Sequence, residues 1–143
     1  MRKLNIWLSV LAIIIMVACT EVQLSRDLNG VGPYTEIELE PLNDSLMQQG
    51  KSLFDSKCSS CHTMEFKNSG PDISDILAYR REVWVLNFIL NKEEMLRRDS
   101  LALLTRKEYE MDCGSDISSE EEAFQLLEYL RQYQIWLREF NVR

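Results

Sequence analysis

The chain has no excess of positive charge: 16 Lys and Arg stand against 23 Asp and Glu in 143 residues, a net charge of −7. Nucleic acid is thereby a poor partner, because binding it takes a basic surface that releases counterions from phosphates. Nor is there an apolar run of the roughly 20 residues that cross a hydrocarbon core of about 30 Å. The uninterrupted apolar part near the N-terminus, Val10 to Ala18, is well short of that, so a permanent spanning helix is only the second reading of this segment. No alternating polar and apolar stretch reads as a strand or hairpin, and internal repeats and low-complexity tracts are absent. Glycine and proline are sparse, five and three, and Gly30, Gly32, Pro33 and Pro41 fall in one irregular stretch.

What is present begins with an export pattern. Arg2 and Lys3 give a positive start, and Leu4 to Ala18 is apolar except for Asn5 and Ser9, the layout of a signal peptide over residues 1–18. Its end, Met16-Val17-Ala18-Cys19, resembles the lipobox of bacterial lipoproteins. That resemblance implies lipidation at Cys19, with Met16 standing where the motif more often has Leu. Removing Arg2 and Lys3 takes the balance from −7 to −9. An acidic chain favours a partner with a positively charged docking patch, in an attraction that salt weakens. Residues 19–42 read as a lipidated N-terminus and flexible tether, spanning on the order of 25 Å as a coil.

The folded domain is expected over 43–143. Asn43 or Asp44 is a suitable N-cap for a helix through Leu46, Met47, Gly50, Leu53 and Phe54 to about Lys57. Further helices are expected at about Arg81 to Asn91 and Ser100 to Lys107. Ser118-Ser119-Glu120-Glu121 is a capping-box sequence before Ala123, Leu126, Leu127, Leu130, Tyr133 and Leu137 at helical spacing. Thr63 to Ile76 and Glu108 to Ile117 read as loops. An all-α domain of this size has a modest apolar core, and a buried cofactor would fill its middle.

The chemistry lies in Cys58-Ser59-Ser60-Cys61-His62, the C-x-x-C-H attachment pattern for haem c. Two thiols add across the two vinyl groups of the porphyrin, leaving the adjacent imidazole to reach the iron, with its second nitrogen needing an acceptor. A thioredoxin-like redox pair would need a βαβ context that the helical flanks deny. A zinc site from Cys58, Cys61, His62 and Cys113 would use adjacent ligands in an unusual spacing. A Cys58–Cys61 disulfide closes too short a loop to stabilise much.

Gly50-x-x-x-Phe54-x-x-x-Cys58-x-x-Cys61-His62, then Gly70-Pro71-Asp72, Met111 and Leu126-x-x-Tyr129-Leu130, resembles class I cytochrome c over about Leu46 to Tyr133. The resemblance implies an all-α fold of three to five helices wrapped around one covalent haem. In it Gly50, Phe54, Leu126 and Tyr129 pack where first and last helices cross, and the Pro71 carbonyl accepts from His62. The family often takes propionate partners from the region of Tyr79, Arg80, Arg81 and Trp84, although each of these, taken singly, reads first as a structural residue.

The sixth ligand must reach the far face of the haem. Met64 is confined to the His62 side, Met47 precedes the attachment site and Met16 lies in the signal, so Met95 and Met111 remain. Class I cytochromes place their axial methionine just before the last helix, which implies Met111, although Asp112 follows it where Pro is common. His/Met ligation raises the potential and leaves no open position, the design of an electron carrier with no small-molecule substrate rather than an enzyme. An open haem site, for a sensor or enzyme, is the alternative if Met111 is not a ligand. Cys113 reads as a small buried apolar residue, or as a rival ligand or oxidant sensor.

The expected function is a lipid-anchored single-electron carrier facing the periplasm, with a quinol-oxidising complex as donor and a terminal oxidase or reductase as acceptor. A haem subunit of a larger respiratory complex is the alternative. The run from Trp84 to Asn91 with Leu101 to Glu108 is similar to cytochromes of Bacteroidetes-type bacteria that accompany nitrous oxide reductase.

Overall fold

A computed structural model describes residues 28–109, 117 and 119–140. The expected signal peptide, the lipidation site Cys19, the axial candidate Met111 and Cys113 lie outside the described residues. Six α-helices occur among those described: α1 (Asp44–Leu53), α2 (Ile76–Tyr79), α3 (Glu82–Leu90), α4 (Lys92–Arg98), α5 (Ser100–Glu108) and α6 (Glu120–Glu139). No strand occurs among them, so the all-α expectation holds.

Local chemistry sets the helix ends. Asn43 caps α1, its side-chain oxygen accepting from the amides of Ser45 and Leu46 at 2.9 and 3.0 Å, which satisfies two donors that the first turn leaves unpaired. Ser119 caps α6 by accepting from Glu122 N–H at 3.1 Å, one residue later than the sequence pattern first suggests. Glu120, Glu121 and Glu122 then lie in the first turn, where negative charge complements the helix dipole. Asp99 caps α5 through the amide of Ala102 at 2.8 Å.

Helices α1 and α6 cross closely at Gly50, where an added Cβ would collide with the Gln125 carbonyl oxygen and lie 3.0 Å from Tyr129 Cβ. Glycine is required there for backbone approach rather than for a special dihedral. Around the crossing, Phe54 and Tyr129 rings sit 5.5 Å apart, Gln125 donates to Gln49 at 2.6 Å and Lys57 pairs with Glu122 at 2.8 Å. The core continues through Leu86, Met95, Ala102, Ala123, Leu126, Leu127 and Leu130, all buried.

The tether expectation does not hold for residues 28–42. This segment is laid against the domain: Asn87 binds the backbone of Asn29 and Tyr34, the Tyr34 ring meets Phe124 edge-on at 5.8 Å, and the Glu40 carbonyl accepts from Arg131 at 3.0 Å. Its order comes from polar side chains of distant helices, which local periodicity does not reveal. No helix among the described residues is long and apolar enough to cross a membrane.

Candidate functional site

The end of α1 widens into one π-helical turn, Phe54–Cys58, with Ser59 N–H donating to the Phe54 carbonyl at 2.9 Å. Wider turns of this kind recur at functional sites. Here the turn delivers Cys58, and the chain closes into a tight bend as the amides of Cys61 and His62 both donate to the Cys58 carbonyl, at 3.1 and 2.9 Å. Cys58, Cys61 and His62 therefore emerge together from one anchored helix end.

His62 Nδ1 lies 2.9 Å from the Pro71 carbonyl oxygen. A carbonyl only accepts, so this nitrogen carries the proton and Nε2 keeps its lone pair for a ligand. The Pro71 loop is drawn in by Gly70, whose amide donates to the Cys61 carbonyl at 2.8 Å. A Cβ on Gly70 would lie 2.7 Å from His62 Cε1, so the glycine makes room for the ring. Burial pushes the Cys58 thiol above the ordinary cysteine range, with Lys57 partly offsetting it.

These residues open on a cavity of about 1230 Å³ lined by Cys58, Cys61, His62 and Pro71 on one side and Trp84, Val85, Phe88, Leu96, Leu126 and Leu130 among its apolar walls. Pockets for small ligands run to roughly 300–1,000 Å³, so this one suits something larger. Two wall residues carry orphaned polar atoms: Arg80 Nε and Trp84 Nε1 are buried without a partner. Arg80 stacks over the Trp84 ring at 5.3 Å. Buried donors left unpaired are costly, and an anionic group in the cavity would satisfy both.

The residue set fits a haem c. Two thiols and an imidazole stand at one end, a large apolar chamber follows, and unpaired donors wait for carboxylates. The alternatives weaken on the same observations. Cys58 has a free thiol, so the two cysteines of the motif are not bridged to each other. Among the described residues no group of three His, Cys, Asp or Glu side chains converges on a metal-binding position; Cys113, the fourth ligand of the zinc alternative, lies outside them. A βαβ context for a redox pair has no strand to build on among those residues.

Of the expected site residues, Cys58, Cys61, His62 and Pro71 come together, while Met111 lies outside the described part. Met47, Met64 and Met95 do not line the cavity. Met95, the second candidate for the sixth ligand, is fully buried, and its sulfur accepts from the Val31 amide at 2.8 Å. That engagement aims it at the 28–42 segment. Asn87 and the docking of that segment were not legible as parts of the site, since an Asn inside an apolar helix looks like any tolerated polar residue.

The family model for cytochrome c matches residues 47–134. Among solved structures, cytochrome c from Rhodothermus marinus is similar at 30% identity and a TM-score of 0.72, covering 78% of this chain and 97% of that one. An engineered form of the same protein is 33% identical with a TM-score of 0.71 over the same shares. A further engineered form, bound to a carbene intermediate, is 31% identical with a TM-score of 0.69. No curated protein matches the chain.

Proposed function

Because this chain belongs to the cytochrome c family, whose members bind haem c covalently and are typically non-catalytic electron carriers, we propose that it is a membrane-anchored carrier with His/Met ligation. The observation that carries this reading is the His62–Pro71 hydrogen bond at 2.9 Å, which leaves Nε2 as the ligand atom beside both cysteines. Haem c, when bound, supplies an iron that gains and loses one electron.

The chain's own residues do the rest. Cys58 and Cys61 would hold the macrocycle as thioethers, each S–H having added across a vinyl double bond. His62 would bind iron through Nε2, with Pro71 fixing the ring and strengthening it as a donor. Arg80 and Trp84 would hold the propionates through their orphaned N–H groups. Val85, Phe88, Leu126 and Leu130 exclude water, which favours the less charged ferrous form. Met111 would be the sixth ligand: the described methionines, Met47, Met64 and Met95, do not line the cavity, and a thioether would close the position that a substrate would need.

Cys19 carries the lipid that holds the domain on the periplasmic side of a membrane. Electrons come from a quinol-oxidising complex and go to a terminal oxidase or nitrous oxide reductase. A second reading, haem subunit of a larger respiratory complex, has one observation in its favour. The end of α6 presents Trp136 and Phe140, 41% and 63% exposed, in a ladder of rings 5.5 Å apart that starts at Tyr133, an apolar end suited to a fixed partner.

The test of haem attachment is acid–acetone extraction of the exported protein. Colour is expected to stay with the chain, and to be extracted from the double variant Cys58→Ala/Cys61→Ala. A colourless parent protein sinks the proposal. Solubilisation in mild detergent separates the two readings, since a free carrier runs alone and a subunit brings its complex.

A further inference from the structure

Trp84 lines the cavity and is itself covered by the 28–42 segment. A Cβ on Gly30 would lie 2.6 Å from Met95 Cε and 3.0 Å from Trp84 Cδ1, and Gly30 has φ +72°, a conformation that favours glycine. The segment thus presses its bare backbone against the residues behind the cavity wall. Leu28 and Leu39 are exposed, while Val31, Tyr34 and Ile37 are partly buried and pack against the core.

The grip comes from three residues of α3, α4 and the bend between them. Asn87, fully buried, accepts from the Tyr34 amide at 3.0 Å and donates to the carbonyls of Asn29 and Tyr34 at 2.9 and 2.8 Å. Asn91 donates to the Val31 carbonyl at 3.1 Å, and Met95 sulfur accepts from the Val31 amide at 2.8 Å. Gly32 is seated so closely that an added Cβ would collide with the Asn87 side chain. The fit is reciprocal. Asn87 would be a costly unpaired amide inside an apolar helix without the segment, and the segment's backbone groups at Asn29 and Tyr34 find their partner in Asn87.

We propose that residues 28–42 are a latched outer wall of the haem cavity, and that Asn87 is the positioning residue whose latch sets the reduction potential by keeping water from the Trp84 side. The inference rests on the haem-carrier reading above. Its physical basis is that solvent access and burial around a metal site tune its potential. With the wall in place, Trp84 is 6% exposed and its indole N–H is kept from water. With the wall released, water reaches the indole and the haem edge behind it, and the ferric form gains.

The test uses the full-length haem-loaded protein in three variants. Asn87→Leu removes all three bonds at similar volume, Asn87→Asp keeps the acceptor for Tyr34 N–H and loses both donations, and Gly32→Ala attacks the latch from the other side. Two readouts are taken: amide hydrogen exchange at Val31 and Tyr34, and the midpoint potential. Exchange is expected to speed up at least about tenfold, as loss of two or more neutral hydrogen bonds implies, and the potential to fall in the same rank order. If Asn87→Leu fails to fold, Gly32→Ala and Asn87→Asp carry the comparison. Faster exchange with an unchanged potential overturns the link to the haem, and unchanged exchange overturns the latch. A parent protein without haem refutes the carrier reading instead, and the exchange result still stands alone.

Discussion

Replacing Gly50 with Ala should destabilise the domain although it replaces the second-worst helix former with the best. Helix propensity alone favours the change by about 1 kcal/mol. Against that stands the Gln125 carbonyl oxygen, with which the new Cβ would collide. A flexible side chain could swing away; a carbonyl in the middle of α6 can move only with its helix. Overpacking of a tight core costs about 1–3 kcal/mol, and a backbone obstacle belongs at the upper end. The net loss is then about 2 kcal/mol, equivalent to roughly 8–16 °C in Tm for a domain of about 100 residues. Guanidinium unfolding of the haem-loaded protein, followed by far-UV circular dichroism, should show a lower midpoint at constant slope. Ser52→Ala, on an exposed position of the same helix, is the control and should be neutral or slightly stabilising. A Gly50→Ala midpoint at or above that of the parent would refute the close crossing.

Four other outcomes follow from the site. Met111→Ala should open one haem position to cyanide and abolish the long-wavelength band of Met–iron ligation in the oxidised protein, whereas Met95→Leu should keep that band and lose only stability. Trp84→Phe keeps the stack on Phe88, 5.3 Å away, but removes a propionate donor, so its midpoint potential should shift; an unchanged value would show that the indole N–H does not serve the cofactor. Lys67, hydrogen-bonded at 2.8 Å, holds the Glu108 carboxyl below the usual carboxylate range. The ion pair's contribution is therefore present above the ordinary carboxylate pKa and lost as pH falls through the lowered one. In Lys67→Met an NMR titration should find the Glu108 carboxyl moved up toward the usual carboxylate range. Cys19→Ala should move the protein from the membrane to the soluble fraction, and its retention on membranes would argue for an uncleaved anchor.

Those parts of the site that depend on neighbours in sequence were legible in advance. Asn43 and Ser119 cap helices by reaching two or three residues along the chain, and the Cys58-to-His62 bend closes on itself. The Gly50 crossing and the Pro71 acceptor were legible only through likeness to class I cytochromes, because each joins positions whose pairing no local pattern encodes. What escaped was set by distant side chains. Asn29 to Tyr34 has no hydrophobic period, and its path is written in Asn87, 53 residues beyond Tyr34. Lys92–Arg98 forms a helix between two others, although its one buried apolar residue, Met95, gave no periodic stripe. The same burial that hid the helix also assigns the methionine: a sulfur bonded to the Val31 amide serves the wall and not the iron.

The charge of the chain is divided in a way that bears on its partners. Although the net charge is −7, the cavity lining includes Lys57, Arg80, Lys92, Arg97 and Arg106 against Asp72, Asp75 and Glu93, a local excess of basic groups. Lys57 is shared with Glu122 at 2.8 Å and Arg97 with Glu94 at 2.5 Å, so once those two are discounted the lining balances at three basic against three acidic groups. The two propionates of a haem c would add negative charge to that balanced lining. With the cofactor bound, the crevice would share the acidic balance of the chain as a whole. Attraction to a redox partner then comes from the crevice and the surface around it alike, as long-range steering toward a basic patch. Such an arrangement predicts association rates that fall with salt and an electron-transfer rate within the docked complex that does not.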